Sequence, residues 1–93
     1  MPGVNLAEAA KIGFNESVDV GGHPLHVQTE VLTRQGAFVR TTILDGGIAK
    51  FVKKEPLPVD LAGMDAVVTL VKAQHDRYVG HLIKTGKLWQ DSI

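Results

Sequence analysis

Turn-forming residues divide the chain at four points, and the positions of these turns constrain the fold more than any other feature. The four points are Gly21-Gly22, Arg34-Gln35-Gly36, Asp45-Gly46-Gly47 and Pro56-Leu57-Pro58. The segments between the first three are short and rich in Val, Thr, Phe, Ile and Leu, which is strand composition at hairpin spacing. After the second proline the apolar residues recur at helical spacing instead. The pattern predicts antiparallel strands followed by a helix.

The strand segments alternate between apolar and polar residues. Four strands are predicted, at 14–20, 25–32, 38–44 and 48–53. Alternation of this kind is typical of a sheet with one buried face. A two-residue turn at Gly21-Gly22 predicts that Val18 pairs with Leu25 and that Glu16, an exception on the apolar side, pairs with Val27.

The second hairpin allows two registers. A turn centred on Asp45-Gly46 pairs Ile43 with Ile48, whereas a turn centred on Gly46-Gly47 pairs Ile43 with Lys50. We prefer the first register because it keeps apolar residues opposite each other.

One long helix is predicted from Leu61 to Lys84, with Asp60 as its N-cap and Gly86 as its stop. The expected core stripe consists of Leu61, Met64, Val68, Val71, His75, Tyr78 and Leu82. Val67 and Leu70 lie outside this stripe, so the helix is expected to have two apolar faces. A sheet can bury only one side of a helix, and the other side therefore predicts contact with a second chain.

The length of 93 residues fits one small domain. We divide it into an N-terminal segment (1–13) with a helical turn capped by Asn5, a sheet (14–54), a helix (60–85) and a tail (86–93). The predicted class is α+β: a four-stranded antiparallel meander with a long C-terminal helix packed on one face.

Composition excludes several kinds of site. The chain has no cysteine, so disulfides, thiolate zinc sites and a cysteine nucleophile are absent. Ten acidic side chains balance ten basic ones, which gives no general field to attract nucleic acid or an anionic membrane. Neither a signal peptide nor a membrane-spanning run is expected, and a bacterial-type cytoplasm is the expected compartment.

Some side chains could bind a partner or ligand. His26, Gln28 and Glu30 share one strand face at a spacing that permits a metal or polar ligand, although any polar strand face, solvated or at an interface rim, has this spacing. His75 is either a proton acceptor or a buried neutral imidazole. Trp89 is either an interface anchor or a core residue. No cofactor or catalytic residue is predicted.

A basic hairpin gives a further interpretation, nucleic-acid binding, which we rank last. It carries Arg34, Arg40, Lys50, Lys53 and Lys54, with Phe38 and Phe51 available for base stacking. A solvated basic edge that discourages aggregation explains the same residues.

Two segments together resemble small bacterial proteins of unknown function that carry an "hVQTE…T…GG" sheet and a "QH…L…G" helix. The first runs from His26 to Glu30 and continues to Thr42 and Gly46-Gly47; the second is Gln74-His75 with Leu82 and Gly86. The resemblance covers residues 16–86. It implies a compact domain of antiparallel strands followed by a helix, with no established reaction, and the matching positions are Gln28, Thr29, Glu30, Gln74, His75 and Gly86.

The function expected from these observations is a non-catalytic interaction or assembly module. It is expected to form a homodimer through the C-terminal helix, with Val67, Leu70 and Trp89 at the interface, or to bind a small protein partner. The alternative is a small-molecule or metal-binding domain, which could be enzymatic, using His26, Gln28, Glu30 and His75.

Overall fold

The computed structural model describes residues 5–58 and 60–86. Its elements, in chain order, are α1 (Leu6–Ala9), β1 (Gly13–Val20), β2 (His23–Leu32), β3 (Phe38–Asp45), β4 (Ile48–Pro56) and α2 (Met64–Thr85). The strands form one antiparallel sheet in the order β1-β2-β3-β4. The helix α2 packs on one face of it. The predicted α+β meander with a C-terminal helix is confirmed.

The sheet has two unlike faces. The inner face, under α2, carries Phe14, Glu16, Val18, Leu25, Val27, Thr29, Val31, Val39, Thr41, Ile43 and Phe51. The outer face carries Asn15, Ser17, Asp19, His26, Gln28, Glu30, Leu32, Phe38, Arg40, Thr42, Leu44, Val52 and Lys54. Both described helices pack on the inner face, because Ala9 of α1 joins the same core cluster as Val31, Val39 and Val71.

Two apolar clusters fill the space between the sheet and α2. One surrounds Val27, Ile43 and Leu82, and the other surrounds Val31, Val39 and Val67. On β2, β3 and α2 alike, the positions between the two clusters are polar: Thr29, Thr41, Gln74 and His75. A polar layer therefore crosses the middle of the core.

The first hairpin forms as predicted. Val18 pairs with Leu25 and Glu16 pairs with Val27 across the Gly21-Gly22 turn. Both glycines have positive φ, at 61° and 82°, which glycine adopts without the steric cost that a Cβ brings. The Asn5 cap of α1 is also confirmed, because its side chain accepts a hydrogen bond from the Glu8 amide at 3.2 Å.

The preferred register of the second hairpin is wrong. The turn is centred on Gly46-Gly47, with φ of 60° and 84°, because two adjacent positive-φ positions suit two glycines better than Asp45-Gly46. A register shift then pairs Ile43 with Phe51. This irregularity turns Phe51 onto the inner face, where its ring centroid lies 5.6 Å from that of Tyr78. The other register places Phe51 on the outer face.

The helix α2 ends as predicted but begins later. Gly86 caps it in the left-handed conformation, with φ of 66°. Its first residue is Met64 and its N-cap is Gly63, so Asp60 is not the cap. No helix among the described residues is long and apolar enough to cross a bilayer.

The predicted second apolar face of α2 is wrong, because its residues pack in or against the core. Val67 is 0% exposed and belongs to the core, whereas Val68 is 39% exposed. The buried side follows Val67, Val71, Gln74, His75, Tyr78, Val79 and Leu82. Leu70 is half-buried and packs against the same core, and Trp89 lies outside the described residues. Val67 is therefore unavailable to a partner. The predicted core stripe is confirmed at Val71, His75, Tyr78 and Leu82, but it is wrong at Val68, whose place in the core Val67 takes.

Candidate functional site

The polar layer in the core is a connected set of hydrogen bonds. The His75 Nδ1 lies 2.9 Å from the Thr29 hydroxyl oxygen, and that oxygen lies 2.9 Å from the Thr41 hydroxyl oxygen. The His75 Nε2 lies 3.1 Å from the Glu16 Oε1. We call this set the buried polar network; its members are Glu16, Thr29, Thr41, Gln74 and His75.

The hydrogen bonds of the network form one continuous chain from Gln74 to Glu16. The Gln74 amide nitrogen donates to the Val39 carbonyl at 3.2 Å and to the Thr41 hydroxyl at 3.0 Å. A carbonyl can only accept, which fixes the orientation of this amide. The Thr41 and Thr29 hydroxyls hydrogen-bond each other, and the Thr29 hydroxyl hydrogen-bonds the His75 Nδ1. The other ring nitrogen of His75 bonds Glu16, so successive bonds polarise one another.

The order hydroxyl, imidazole, carboxylate is that of a nucleophilic triad, but a substrate cannot reach the hydroxyl. Thr29 is 1% exposed, so no substrate carbonyl can approach its oxygen in this structure. The Phe14 ring covers His75 at 5.8 Å between centroids. Only Glu16, whose side chain is 49% exposed, connects the network to solvent. The network can align α2 with three strands.

The proposed ligand-binding residues do not form one site. His26, Gln28 and Glu30 lie on the outer face, as expected, whereas His75 lies on the inner face against Thr29. Arg40 forms an ion pair with the Glu30 carboxylate. The His26 Nε2 lies 3.4 Å from the Asn15 Oδ1. Within the part of the chain that the structure describes, no group of three or more His, Asp or Glu side chains could hold a metal ion.

The outer face is arranged in rows that run across the strands. The register aligns Ser17, His26, Leu44 and Ala49 in one row, and Asn15, Gln28, Thr42 and Val52 in the next. A third row contains Glu30, Arg40 and Lys54, and a fourth contains Leu32, Phe38 and Pro56. The Lys54 Nζ lies 5.0 Å from the centre of the Phe38 ring. Charged and apolar rows therefore lie side by side.

The two phenylalanines of the basic hairpin lie on opposite faces. Phe38 is on the outer face, and Phe51 is buried on the inner face. They cannot form one base-stacking platform, so the geometry gives nucleic-acid binding no support beyond the basic side chains themselves.

A further polar cluster lies where α2 passes β4. The Tyr78 hydroxyl donates to the Glu55 Oε2 at 3.0 Å, and Arg77 pairs with the same carboxylate. Burial is the largest cause of the raised pKa of the Tyr78 phenol. The phenol is thus held in its neutral, donating form.

Thr29, Thr41, Gln74 and Glu16 were not among the predicted site residues. The sequence does carry a signal for them, because Thr29 and Thr41 occupy inward positions of strands that are otherwise apolar there. Glu16 is likewise the exception on the apolar side of β1.

Comparison of the chain with protein-family models, with curated proteins and with solved structures finds no match. The resemblance to small bacterial proteins therefore stays an expectation. Of its matching positions, Thr29, Gln74 and His75 meet in the buried polar network, Gln28 and Glu30 lie on the outer face, and Gly86 caps α2.

Proposed function

We propose that this protein is a non-catalytic interaction and assembly module that self-associates through its sheet and presents the outer face to a protein partner. The observation that carries the proposal is the one-sided arrangement of the fold. Both described helices pack on the inner face, and the outer face keeps Phe38, Arg40 and Leu44 half-buried at the surface of the central strand β3.

The chemistry of the outer face supports this role. Its row of Leu32, Phe38 and Pro56 lies next to the charged Arg40 and Lys54. Protein interfaces combine an apolar centre with aromatic and arginine side chains and a polar rim. A partner surface with apolar side chains and a carboxylate opposite Arg40 and Lys54 would complement this mixture.

The buried polar network supports the non-catalytic part of the proposal. It ties α2 to three strands through Glu16, Thr29 and Thr41, with its hydroxyls closed to solvent. Such a polar layer makes the alignment of α2 on the sheet specific, since a slip of the helix would leave further buried polar groups unpaired.

Self-association through α2, the route expected from the sequence, loses its main support. That expectation depended on Val67 and Leu70 as a second apolar face, and both pack in or against the core. The large apolar side chains left exposed on α2 are Val68 and Ile83, with Lys72 and Asp76 between them. The sheet therefore supplies the contact in this proposal.

Self-association is tested by sedimentation velocity of the purified protein over about a hundredfold range of concentration. The proposal expects a species of twice the 10.0 kDa chain mass, increasing with concentration. A monomer at every concentration would refute the assembly part of the proposal.

Partner binding is tested by affinity capture from the source cells with three versions of the protein. Lys54→Glu reverses a charge on the outer face next to Arg40, and Lys11→Glu reverses an exposed charge away from it. A partner should be retained by the wild type and by Lys11→Glu but lost with Lys54→Glu. Equal retention by all three proteins, or none, would contradict the assignment of the outer face.

A further inference from the structure

The two edges of the sheet are protected to different degrees against the addition of another strand. The edge strand β4 carries Lys50, Lys53, Lys54 and Pro56 together with a register shift. These are the features with which proteins prevent strand addition. The edge strand β1 has no lysine and no proline, and it pairs with β2 without interruption from Gly13 to Val20. Among the described residues β1 pairs with β2 alone, so its other edge is open to pairing.

We infer that β1 binds β1 of a second copy of this chain, antiparallel, about a two-fold axis perpendicular to the sheet that lies midway between the two copies of Ser17. This inference rests on the proposed self-association and names the surface that performs it. A strand related to its copy by such an axis is necessarily antiparallel, and two-fold dimers are the commonest closed assemblies. The result is one continuous eight-stranded sheet.

The positions of apolar and charged residues select Ser17 as the axis. Residues directly opposite each other in paired strands share a face. An axis that places one residue opposite its own copy therefore joins the inner faces of the two sheets. With Ser17 on the axis, Phe14 lies opposite the second copy's Val20, and Glu16 lies opposite its Val18. With Glu16 on the axis, two carboxylates would face each other, which is destabilising. With Val18 on the axis, Phe14 would lie opposite the turn residue Gly22, and the pairing would shorten.

The chosen axis improves the burial of residues that the single chain leaves partly exposed. Phe14 and Val20 are both half-buried, and each packs against one of the two core clusters. Their pairing across the axis would extend both clusters into the second copy. Glu16 keeps its contact with His75, because it faces an apolar side chain rather than a competing partner.

The same axis has a consequence for the outer face. A two-fold axis perpendicular to the sheet leaves both copies of α2 on one side and both outer faces on the other. The dimer therefore presents a doubled outer face to a partner, which strengthens binding to any partner that carries two matching surfaces.

The register is tested with single cysteines, because the chain has none of its own. Ser17→Cys places two thiols opposite each other at roughly 4.5–5.5 Å between Cβ atoms, close to the separation that a disulfide needs. Asp19→Cys is the matched control on the same face and strand. Its two copies would be separated by about four strand residues, or roughly 13 Å. Mild oxidation should cross-link Ser17→Cys and leave Asp19→Cys monomeric on a denaturing gel.

A charge test distinguishes this inference from self-association in general. Ser17→Lys places two lysines together on the axis and should convert the dimer into a folded monomer. Asn15→Lys faces the second copy's Asp19 and should keep the dimer. If wild type is a dimer but Ser17→Lys stays dimeric and Ser17→Cys cross-links no faster than Asp19→Cys, the β1 assignment fails while the proposed function stands. If wild type is a monomer, both fail.

Discussion

Replacement of Thr29 by valine should be among the most costly single changes in the sheet. Valine has nearly the same shape as threonine, so the change removes the hydroxyl without creating a large cavity. The lost hydroxyl hydrogen-bonds both Thr41 and His75 at 2.9 Å. The Nδ1 of His75 would then lack a partner, and the Thr41 hydroxyl would keep only its hydrogen bond from Gln74.

The size of the effect follows from the unpaired Nδ1 of His75 and from the lost hydrogen bond between the two threonine hydroxyls. A buried polar group without a partner costs about 1–3 kcal/mol, so Thr29→Val should lower the free energy of unfolding by about 2–4 kcal/mol. The double variant Thr29→Val/Thr41→Val should cost less than the sum of the single changes, because the hydrogen bond between the two hydroxyls is lost in both single variants and is counted twice in their sum.

Urea denaturation followed by circular dichroism measures this loss, at one fixed protein concentration because dimerisation also affects stability. The matched control is Thr42→Val, since Thr42 neighbours Thr41 but lies on the outer face; it should change stability by no more than about 0.5 kcal/mol. A loss for Thr29→Val no larger than that of the control would refute the structural role of the network.

Three further predictions concern the turn, the phenol and the alternative metal site. Gly46→Val should destabilise by roughly 1–2 kcal/mol, because φ is 60° there; an unchanged urea midpoint would count against the turn. The raised pKa of Tyr78 means that the folded state holds the phenolic proton more tightly than the unfolded state. Its stabilising effect is therefore complete below the unfolded pKa near 10.0 and declines as the pH rises through the folded value. Tyr78→Phe should lack this alkaline loss in urea midpoints, and parallel pH curves for the two proteins would contradict the assignment. Calorimetry with zinc, manganese and nickel should show no binding heat, since Arg40 already pairs with Glu30; heat that Glu30→Gln abolishes would favour the metal-binding alternative instead.

The sequence predicted the architecture because its signals are local. Gly21-Gly22 needs two positive φ values, and the alternation around it permits one register, so Val18 pairs with Leu25 as expected. The change from strand to helical spacing after Pro58 is equally local, and Gly86 ends α2 through its own left-handed conformation.

The errors arise where tertiary packing decides between close alternatives. The second hairpin uses a register shift to bring Phe51 under Tyr78, and the pairing of apolar residues alone cannot anticipate an extra residue in one strand. On α2 the predicted stripe was wrong at Val68, which is exposed while Val67 is buried, since the two residues are equally apolar. The buried polar network joins positions up to 59 residues apart in the chain, so no local spacing predicts it.

The central claim, that β1 is the edge through which two copies pair, is tested most directly by hydrogen–deuterium exchange at low and high protein concentration. If two copies pair through β1, backbone amides within Phe14–Val20 should gain protection as the concentration rises, while the amides of β4 and of the exposed side of α2 should not. Protection that rises with concentration in α2 or β4 instead, or no concentration dependence in β1, would contradict it.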